Sequence, residues 1–259
     1  MSVFSSFGGS TVEQTGGGPV VVSERRSEPR LLDRKFGSKA FLLGLLQSGS
    51  GKYSKPIGGH LKRAFDLLVA LAAVVALSPL LCLIAVSLRL ATGGPVIYRH
   101  RRVGYGGRSF DCLKFRTMVT DGDAVLEQYL KDNPLAAEEW RRTRKLTRDP
   151  RVTELGYFLR KTSLDELPQL FNILRGDMSC VGPRPVVVEE LERYGELAHD
   201  YCGARPGVTG LWQISGRSLA SYEERVQLDS EYLRKWSFAR DISILVRTLP
   251  AVLKIEQAA

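Results

Sequence analysis

The chain has 259 residues, of which 44% are hydrophobic and 25% are charged, as is usual for a folded protein with one or two domains. The net charge of +9 and the pI near 9.5 favour three kinds of partner: nucleic acid, an anionic membrane surface or phosphorylated substrates. Four scattered cysteines match no disulfide framework or zinc signature, so we expect reduced thiols of an intracellular protein. Three scattered histidines argue against a histidine metal site.

The N-terminal segment, residues 1–55, is predicted to be a mostly disordered tail. Its first residues are rich in Gly, Ser and Thr and include no secretory signal. One short apolar patch, Ala40 to Leu46, has two open interpretations: a transient helix within the tail, or a turn that docks on a surface.

Residues 56–94 are predicted to form a membrane anchor, because Leu67 to Leu88 is a run of 22 residues without a charge. As one straight helix, this run would measure roughly 33 Å, about the thickness of a bilayer core. Pro79 follows Ser78 near the middle, and proline removes a backbone hydrogen bond, so we expect a break there. The Ser78 hydroxyl is a suitable donor for the carbonyl that the proline frees.

The charges around this run favour a re-entrant anchor over a spanning helix. Each half of a broken helix would measure roughly 15–18 Å, which is too short to cross alone. Both flanks are basic, and positive residues favour the cytoplasmic side. We therefore expect a helix–break–helix whose two ends lie on the same, cytoplasmic face.

Residues 95–259 are predicted to form a cytoplasmic catalytic domain of α/β class, mostly helical with a small β-hairpin. The hairpin is expected around Gly104–Gly107, because extended runs lie on both sides of this Gly-rich turn. Helical patterns cover 121–131, 134–146, 220–235 and 239–254. The last has one apolar face, which suits either a helix lying on a bilayer surface or ordinary core packing.

The segment from Arg160 to Gln169 contains the strongest candidate for chemistry, the adjacent carboxylates Asp165 and Glu166. A structural interpretation is open, since Ser163 and Glu166 have the spacing of a capping box. The chemical interpretation is phosphoryl transfer, which needs a nucleophile, a divalent cation and positive donors. Asp165 offers a nucleophile or metal ligand, Glu166 a second carboxylate and Arg160 a cation.

Further cations lie in rigid settings. Lys114 and Arg116 alternate along a probable strand and therefore share one face. Arg184 lies between Pro183 and Pro185, whose fixed φ angles stiffen the backbone that presents it. Arginine is well suited to bidentate phosphate binding. Each signal is weak by itself.

Together, these pieces resemble the bacterial sugar transferases, or monotopic phosphoglycosyl transferases, and in particular the short members that prime exopolysaccharide synthesis. The resemblance covers about residues 58–254. It rests on Ser78-Pro79, Lys114-Phe-Arg-Thr-Met118, Leu164-Asp-Glu-Leu-Pro-Gln169, Arg175-Gly-Asp-Met-Ser179, Gly182-Pro-Arg-Pro185 and Arg205-Pro-Gly-Val-Thr-Gly-Leu-Trp-Gln213.

The resemblance implies a Mg²⁺-dependent enzyme of the bacterial inner membrane, monotopic and facing the cytoplasm. Its expected substrates are a UDP-sugar, with galactose slightly ahead of glucose, and undecaprenyl phosphate. Asp165 would be the nucleophile and a metal ligand, and Glu166 would bind metal or handle a proton. Arg160 would brace the anchor and catalytic helix. Lys114, Arg116, Arg160 and Arg184 would bind substrate or its phosphates, with Gln213 and Trp212 weaker candidates.

Two other functions remain open on the sequence. A basic nucleic-acid-binding protein explains the net charge, but neither the uncharged run nor the paired acids; we expect no nucleic-acid partner. A non-catalytic membrane scaffold explains anchor and charge but makes Asp165 and Glu166 incidental. A homodimer is compatible with the resemblance.

Overall fold

A computed structural model describes Gly44 and residues 55–143, 146–215 and 221–253. The predicted tail and its apolar patch lie outside these residues, apart from Gly44 and Lys55. The described chain is mostly helical, as predicted. Its elements in order are α1 (Gly59–Thr92), β1 (Ile97–Val103), β2 (Ser109–Phe115), α2 (Gly122–Asp132), α3 (Pro134–Thr143), α4 (Glu154–Lys161), α5 (Gln169–Arg175), β3 (Ser179–Val181), α6 (Val188–Glu192), α7 (Leu197–Cys202), β4 (Gly207–Thr209), α8 (Leu211–Ile214), α9 (Tyr222–Arg234) and α10 (Phe238–Leu253).

The predicted hairpin is confirmed. Strands β1 and β2 pair antiparallel from Ile97 opposite Phe115 to Val103 opposite Ser109. The turn between them uses Gly106 at a φ of 65°, a left-handed conformation that glycine adopts without steric cost. The hairpin places the side chains of β2 against α5 and against the turn that carries Asp165.

A second sheet, the parallel pair β3 and β4, was not predicted. It pairs Ser179 with Gly207 and Val181 with Thr209, and each strand has only three residues. Strands this short show no alternation in the sequence. Gly207 is required by the close approach, since a Cβ there would lie 2.1 Å from the backbone nitrogen of Gly182.

Helix α1 is the one helix in the described part of the chain that is long and apolar enough to cross a membrane. The predicted break at Ser78 and Pro79 is wrong as a break in secondary structure, because α1 runs through Pro79 as one helix of 34 residues. The prediction for Ser78 is confirmed. Its hydroxyl donates to the Val75 carbonyl at 2.9 Å, and Val75 lies four residues before the proline. The carbonyl that Pro79 deprives of a partner is thus satisfied within the helix.

The first third of α1 is fixed to the rest of the domain by polar contacts. Lys62 is buried and its Nζ lies 2.5 Å from Oδ2 of Asp241, a fully buried residue of α10. Asp241 also accepts hydrogen bonds from Tyr232 at 2.8 Å and Trp236 at 3.1 Å. One turn further along α1, Asp66 accepts the backbone N–H of Cys180 in β3 at 3.0 Å.

The last third of α1 packs on the same domain through apolar contacts. Leu81, Ile84 and Leu88 are buried in a cluster with Phe115 of β2 and Leu159 of α4. Between these two contact regions lie residues 71–80, all of them described, and none of the ten is buried. Ten helical residues rise roughly 15 Å, about half of a bilayer core.

We expect Lys62→Met to lower the free energy of unfolding by about 3–5 kcal/mol, because it leaves the Asp241 carboxylate buried without its cation. Chemical unfolding of the detergent-solubilised protein measures the loss. The matched control is Glu138→Gln, which removes the surface ion pair with Arg141. We expect the control to cost no more than about 1 kcal/mol. Equal losses in the two variants would contradict the buried pair's role.

Candidate active site

Asp165 and Glu166 lie in a single 3-10 turn, Leu164–Glu166, between α4 and α5. The residue before it, Ser163, has a φ of 58° and is the only non-glycine residue in the described chain with a positive φ. The alternative interpretation of this turn as a capping box is not supported, because Ser163 in this conformation makes no side-chain capping bond. Left-handed backbone is costly for a residue with a Cβ and is most often found at functional sites.

The turn is fixed to the hydrophobic cluster formed by the last third of α1. Leu164 and Leu167, which bracket the two acids, pack against the cluster that contains Leu81 and Ile84. This packing places the Asp165 carboxyl at the boundary between apolar side chains and polar ones. Asp165 is only 8% exposed.

Burial raises the pKa of Asp165 to about 6, because the ionised form loses its hydration. The nearby positive charges of Lys114 and Arg160 oppose that rise, and the negative charge of Glu166 adds to it. The Lys114 ammonium lies 3.9 Å from Oδ2 of Asp165 and 2.6 Å from Oε1 of Glu166. One lysine on β2 therefore bridges both acids of the turn.

A cleft that is open to solvent lies beside this pair. Four predicted site residues line it: Lys114, Glu166, Arg184 and Gln213. Its wall also contains Cys112, and burial raises the pKa of that thiol to about 11, so it stays protonated at neutral pH. The cleft thus combines ammonium and guanidinium groups with one carboxylate, a lining that suits an anionic, polar ligand.

Two lining residues, Arg102 and Gln169, were missed as site residues. Arg102 was interpreted only as a basic flank of the membrane run. In the structure Glu190 holds its guanidinium at 3.2 Å, and its other terminal nitrogen lies 3.2 Å from Nδ1 of His100. Burial and the charge of Arg102 lower the pKa of His100. The alternation of His100 and Arg102 along β1 was the available signal.

Two predicted binding residues do not reach the cleft. Arg116 lies just beyond β2, and its Nε donates to the Pro95 carbonyl at 2.8 Å. Arg160 donates from Nε to the Thr117 hydroxyl at 2.8 Å. Arg160 is still close enough to Asp165 to lower the pKa of that carboxyl. Their positions make Arg116 a brace of the segment before β1, and Arg160 a brace between α4 and the end of β2.

The carboxylates at this site fit the way proteins hold Mg²⁺ together with a phosphorylated substrate. Mg²⁺ is bound by one or two carboxylates, with substrate phosphates and water completing its ligands. Asp165 and Glu166 supply two adjacent carboxylates, and no group of three or more acidic, histidine or cysteine ligands occurs among the described residues. The donor set therefore suits a cation that arrives with its substrate, and not a closed protein-only metal site.

The comparison with known proteins decides the family. A family model described as bacterial sugar transferase matches residues 57–255. The chain belongs to the bacterial sugar transferase family. This membership confirms the predicted family and the predicted class of enzyme, a transferase.

Several bacterial sugar transferases resemble the chain closely. The exopolysaccharide production protein ExoY of Sinorhizobium fredii is 56% identical over 198 residues, which cover 76% of this chain and 88% of that protein. An undecaprenyl-phosphate galactose phosphotransferase of Salmonella typhimurium is 48% identical over 76% of this chain and 41% of its own length. A UDP-glucose:undecaprenyl-phosphate glucose-1-phosphate transferase of Escherichia coli is 41% identical over 76% of this chain and 42% of its own length. The chain thus matches less than half of these two longer sugar transferases.

The charge on Lys114 should set the acidic limb of the pH–rate profile. A reaction that uses the ionised Asp165 carboxylate loses rate as the pH falls through its pKa, near 6. Because Lys114 holds that pKa down, Lys114→Met should move the limb of kcat/KM to higher pH by about one unit. The control is Lys131→Met, since Lys131 is exposed on α2 and pairs with Glu127 on the same helix. A limb that stays in place in Lys114→Met would contradict the electrostatic link.

Proposed function

We propose that this protein transfers a hexose-1-phosphate from a UDP-sugar to undecaprenyl phosphate, releasing UMP, as the first membrane step of exopolysaccharide synthesis. The observation that carries the proposal is a single one: a buried carboxylate, Asp165, is flanked by leucines that pack against α1 and lies 3.9 Å from the ammonium of Lys114, which lines a cation-rich cleft. A water-soluble diphosphate donor can enter such a cleft, while a lipid acceptor can approach along the membrane helix.

In the first half-reaction, an oxygen of the Asp165 carboxylate attacks the β-phosphorus of the UDP-sugar. The bond from that phosphorus to the bridging oxygen breaks, and the bridging oxygen leaves with UMP. The product is an acyl phosphate in which Asp165 carries the sugar phosphate. Lys114, at 3.9 Å from Asp165 and on the cleft wall, is placed to hold the phosphate oxygens as the carboxylate loses its negative charge.

In the second half-reaction, a phosphate oxygen of undecaprenyl phosphate attacks the same phosphorus. The bond to Asp165 breaks, the carboxylate is restored, and the product is a sugar linked to the lipid by a diphosphate. Arg102 and Arg184 line the cleft and offer guanidinium groups for the phosphates of both substrates. Glu166, bonded to Lys114, supports the cation between the two acids.

Mg²⁺ is the proposed cofactor, held by Asp165 with Glu166 as the second carboxylate. When bound, it offsets the repulsion between the carboxylates and the donor phosphates. Lys114, Arg102 and Arg184 together carry fewer positive charges than two carboxylates and a diphosphate carry negative ones. The need for a divalent cation follows from this excess of negative charge.

The proposed location is the cytoplasmic face of the bacterial inner membrane, with α1 as a re-entrant anchor. Both ends of α1 pack on one domain, and none of residues 71–80 between them is buried. That stretch is too short to carry the chain across a bilayer. On α10, Ile244 is buried in the core and Leu245 packs against the core, while Ile242 and Val246 of the predicted apolar face are exposed, which supports a helix that contacts the membrane surface with part of that face.

The sugar is proposed to be galactose or glucose. The printed name of the Salmonella relative specifies galactose, and that of the Escherichia coli relative specifies glucose. The relative from Salmonella is the more similar of the two, at 48% against 41% identity, and this difference supports proposing galactose slightly ahead of glucose. The absence of a nucleic-acid partner and the homodimer stay predictions.

Covalent labelling tests the proposed nucleophile. We expect purified protein with Mg²⁺ and a UDP-sugar radiolabelled in the sugar to retain label on the protein when no lipid acceptor is added. Asp165→Asn should lose the label and reduce UMP release at least about 10³-fold, because an amide cannot take the phosphoryl group. The variant should keep its thermal unfolding profile and its membrane binding, since asparagine is isosteric with aspartate.

Two controls complete this experiment. Lys131→Met should label like the unsubstituted protein, since Lys131 is remote on α2. Addition of undecaprenyl phosphate should discharge the label into the lipid phase. Substantial turnover by Asp165→Asn, or label that the lipid cannot remove, would refute the proposed two-step reaction.

Cysteine labelling tests the re-entrant anchor. His60→Cys and Pro95→Cys bracket α1, and in sealed inverted vesicles both should react with a membrane-impermeant maleimide. Each labelled variant needs Cys82→Ala as background, because Cys82 is exposed on α1. Reaction of one position only, with the other accessible after detergent, would show a spanning helix.

A further inference from the structure

The loop that presents Arg184 to the cleft has one backbone donor within its Pro183-Arg184-Pro185 tripeptide. Proline has no N–H, so only Arg184 can donate a backbone hydrogen bond. That N–H donates to Oδ2 of Asp229 on α9 at 3.3 Å. The flanking carbonyl of Pro183 accepts the N–H of Gly207 at 2.9 Å, which ties the loop to β4 on its other side.

Burial of the Asp229 carboxylate on α9 costs free energy of folding. It is 1% exposed, and burial raises its pKa to about 7. Oδ2 also accepts the Tyr194 hydroxyl at 3.0 Å, whereas Oδ1 is buried with no hydrogen-bond partner in the described structure. An unmet buried acceptor is destabilising, so fold stability alone does not account for an aspartate here.

The side chain of Arg184 is guided by the same helix. Its guanidinium lies 5.2 Å from the centre of the Trp212 ring, at the edge of the cleft. Arg225, one turn before Asp229 on α9, lies 5.0 Å from the centre of that ring. Helix α9 therefore contacts the Arg184 region at two points. Asp229 accepts the backbone N–H of Arg184, and Arg225 lies against the same Trp212 ring as the Arg184 guanidinium.

We propose that Asp229 is a positioning residue for substrate binding, which fixes the Arg184 backbone so that the guanidinium lies over Trp212 at the cleft. Asp229 does not touch the substrate in this arrangement; it acts through Arg184. The inference rests on the proposed function in one respect, that Arg184 binds a phosphate of the nucleotide-sugar donor.

A thermodynamic cycle with Arg184 tests the inference. Arg184→Ala should raise the KM for the UDP-sugar about tenfold with little change in kcat, as for the loss of one charged hydrogen bond in both ground and transition states. Asp229→Ala should raise it in the same direction by about fivefold, since a misplaced guanidinium binds less well. The double variant should be no worse than Arg184→Ala, because Asp229 has nothing left to position. If the rise in KM in the double variant equalled the product of the two single-variant rises, the inference would be overturned.

Two further variants separate positioning from folding. Asp229→Asn keeps an oxygen acceptor for the Arg184 N–H and should restore the KM to within about twofold of the unsubstituted value. Tyr194→Phe removes the other hydrogen bond to the same oxygen and should lower the unfolding temperature without moving the KM. If Asp229→Ala does not fold, Asp229→Ser, which is too short to reach the loop, replaces it. A KM raised equally by Tyr194→Phe would indicate general loosening and would overturn the inference.

Amide hydrogen exchange gives a readout that needs no substrate. In a peptide covering 183–186, only Arg184 and Val186 carry exchangeable backbone amides. Exchange at Arg184 should accelerate in Asp229→Ala and Asp229→Ser but not in Asp229→Asn. Unchanged exchange would refute the positioning role whatever the enzyme transfers. Accelerated exchange without UMP release by the unsubstituted protein would instead refute the proposed function and leave the structural link standing.

Discussion

The buried ion pair between Lys62 and Asp241 constrains the rest of the structure, because it joins the first helix of the described domain to the last one. A buried pair is a weak source of net stability, since desolvation offsets the attraction, but separating its partners is costly. Any position of α1 that moves Lys62 away from Asp241 therefore has a higher free energy. The hydrogen bonds from Tyr232 and Trp236 satisfy the carboxylate further and leave one favourable position for the helix.

The position of the start of α1 also determines where the helix lies about two dozen residues further along the chain. Once the start of α1 is fixed, its last third must lie where Leu81, Ile84 and Leu88 meet Phe115 and Leu159. The leucines on either side of the acidic pair pack against the same cluster, so α1 and the acidic turn are packed as one unit. A shift of α1 would displace the carboxylate through this contact, because packed side chains transmit displacement.

The sequence predicted those features that depend on local pattern. The hairpin, the four later helices and the bond from Ser78 to Val75 follow from periodicity and from proline chemistry, and all are present. The predictions from sequence fail where tertiary contacts determine the position of a residue. Ser163 has a capping-box spacing but adopts a left-handed backbone. Arg116 was predicted to share a strand face with Lys114 but lies just beyond β2 and bonds the Pro95 carbonyl, and Arg102 lines the cleft because the hairpin folds back.

In the proposed reaction, Asp165 as the nucleophile would combine two requirements that usually conflict. A nucleophile must be ionised, yet a more basic group attacks more readily, so the most effective pKa lies just below the working pH. Burial against the leucines of the cluster raises the pKa of Asp165, and Lys114 limits the rise to a value of about 6. At pH 7 a carboxyl of that pKa is roughly nine-tenths ionised. The apolar packing that fixes the turn thus also makes the carboxylate a stronger nucleophile, while the lysine keeps most molecules in the reactive form.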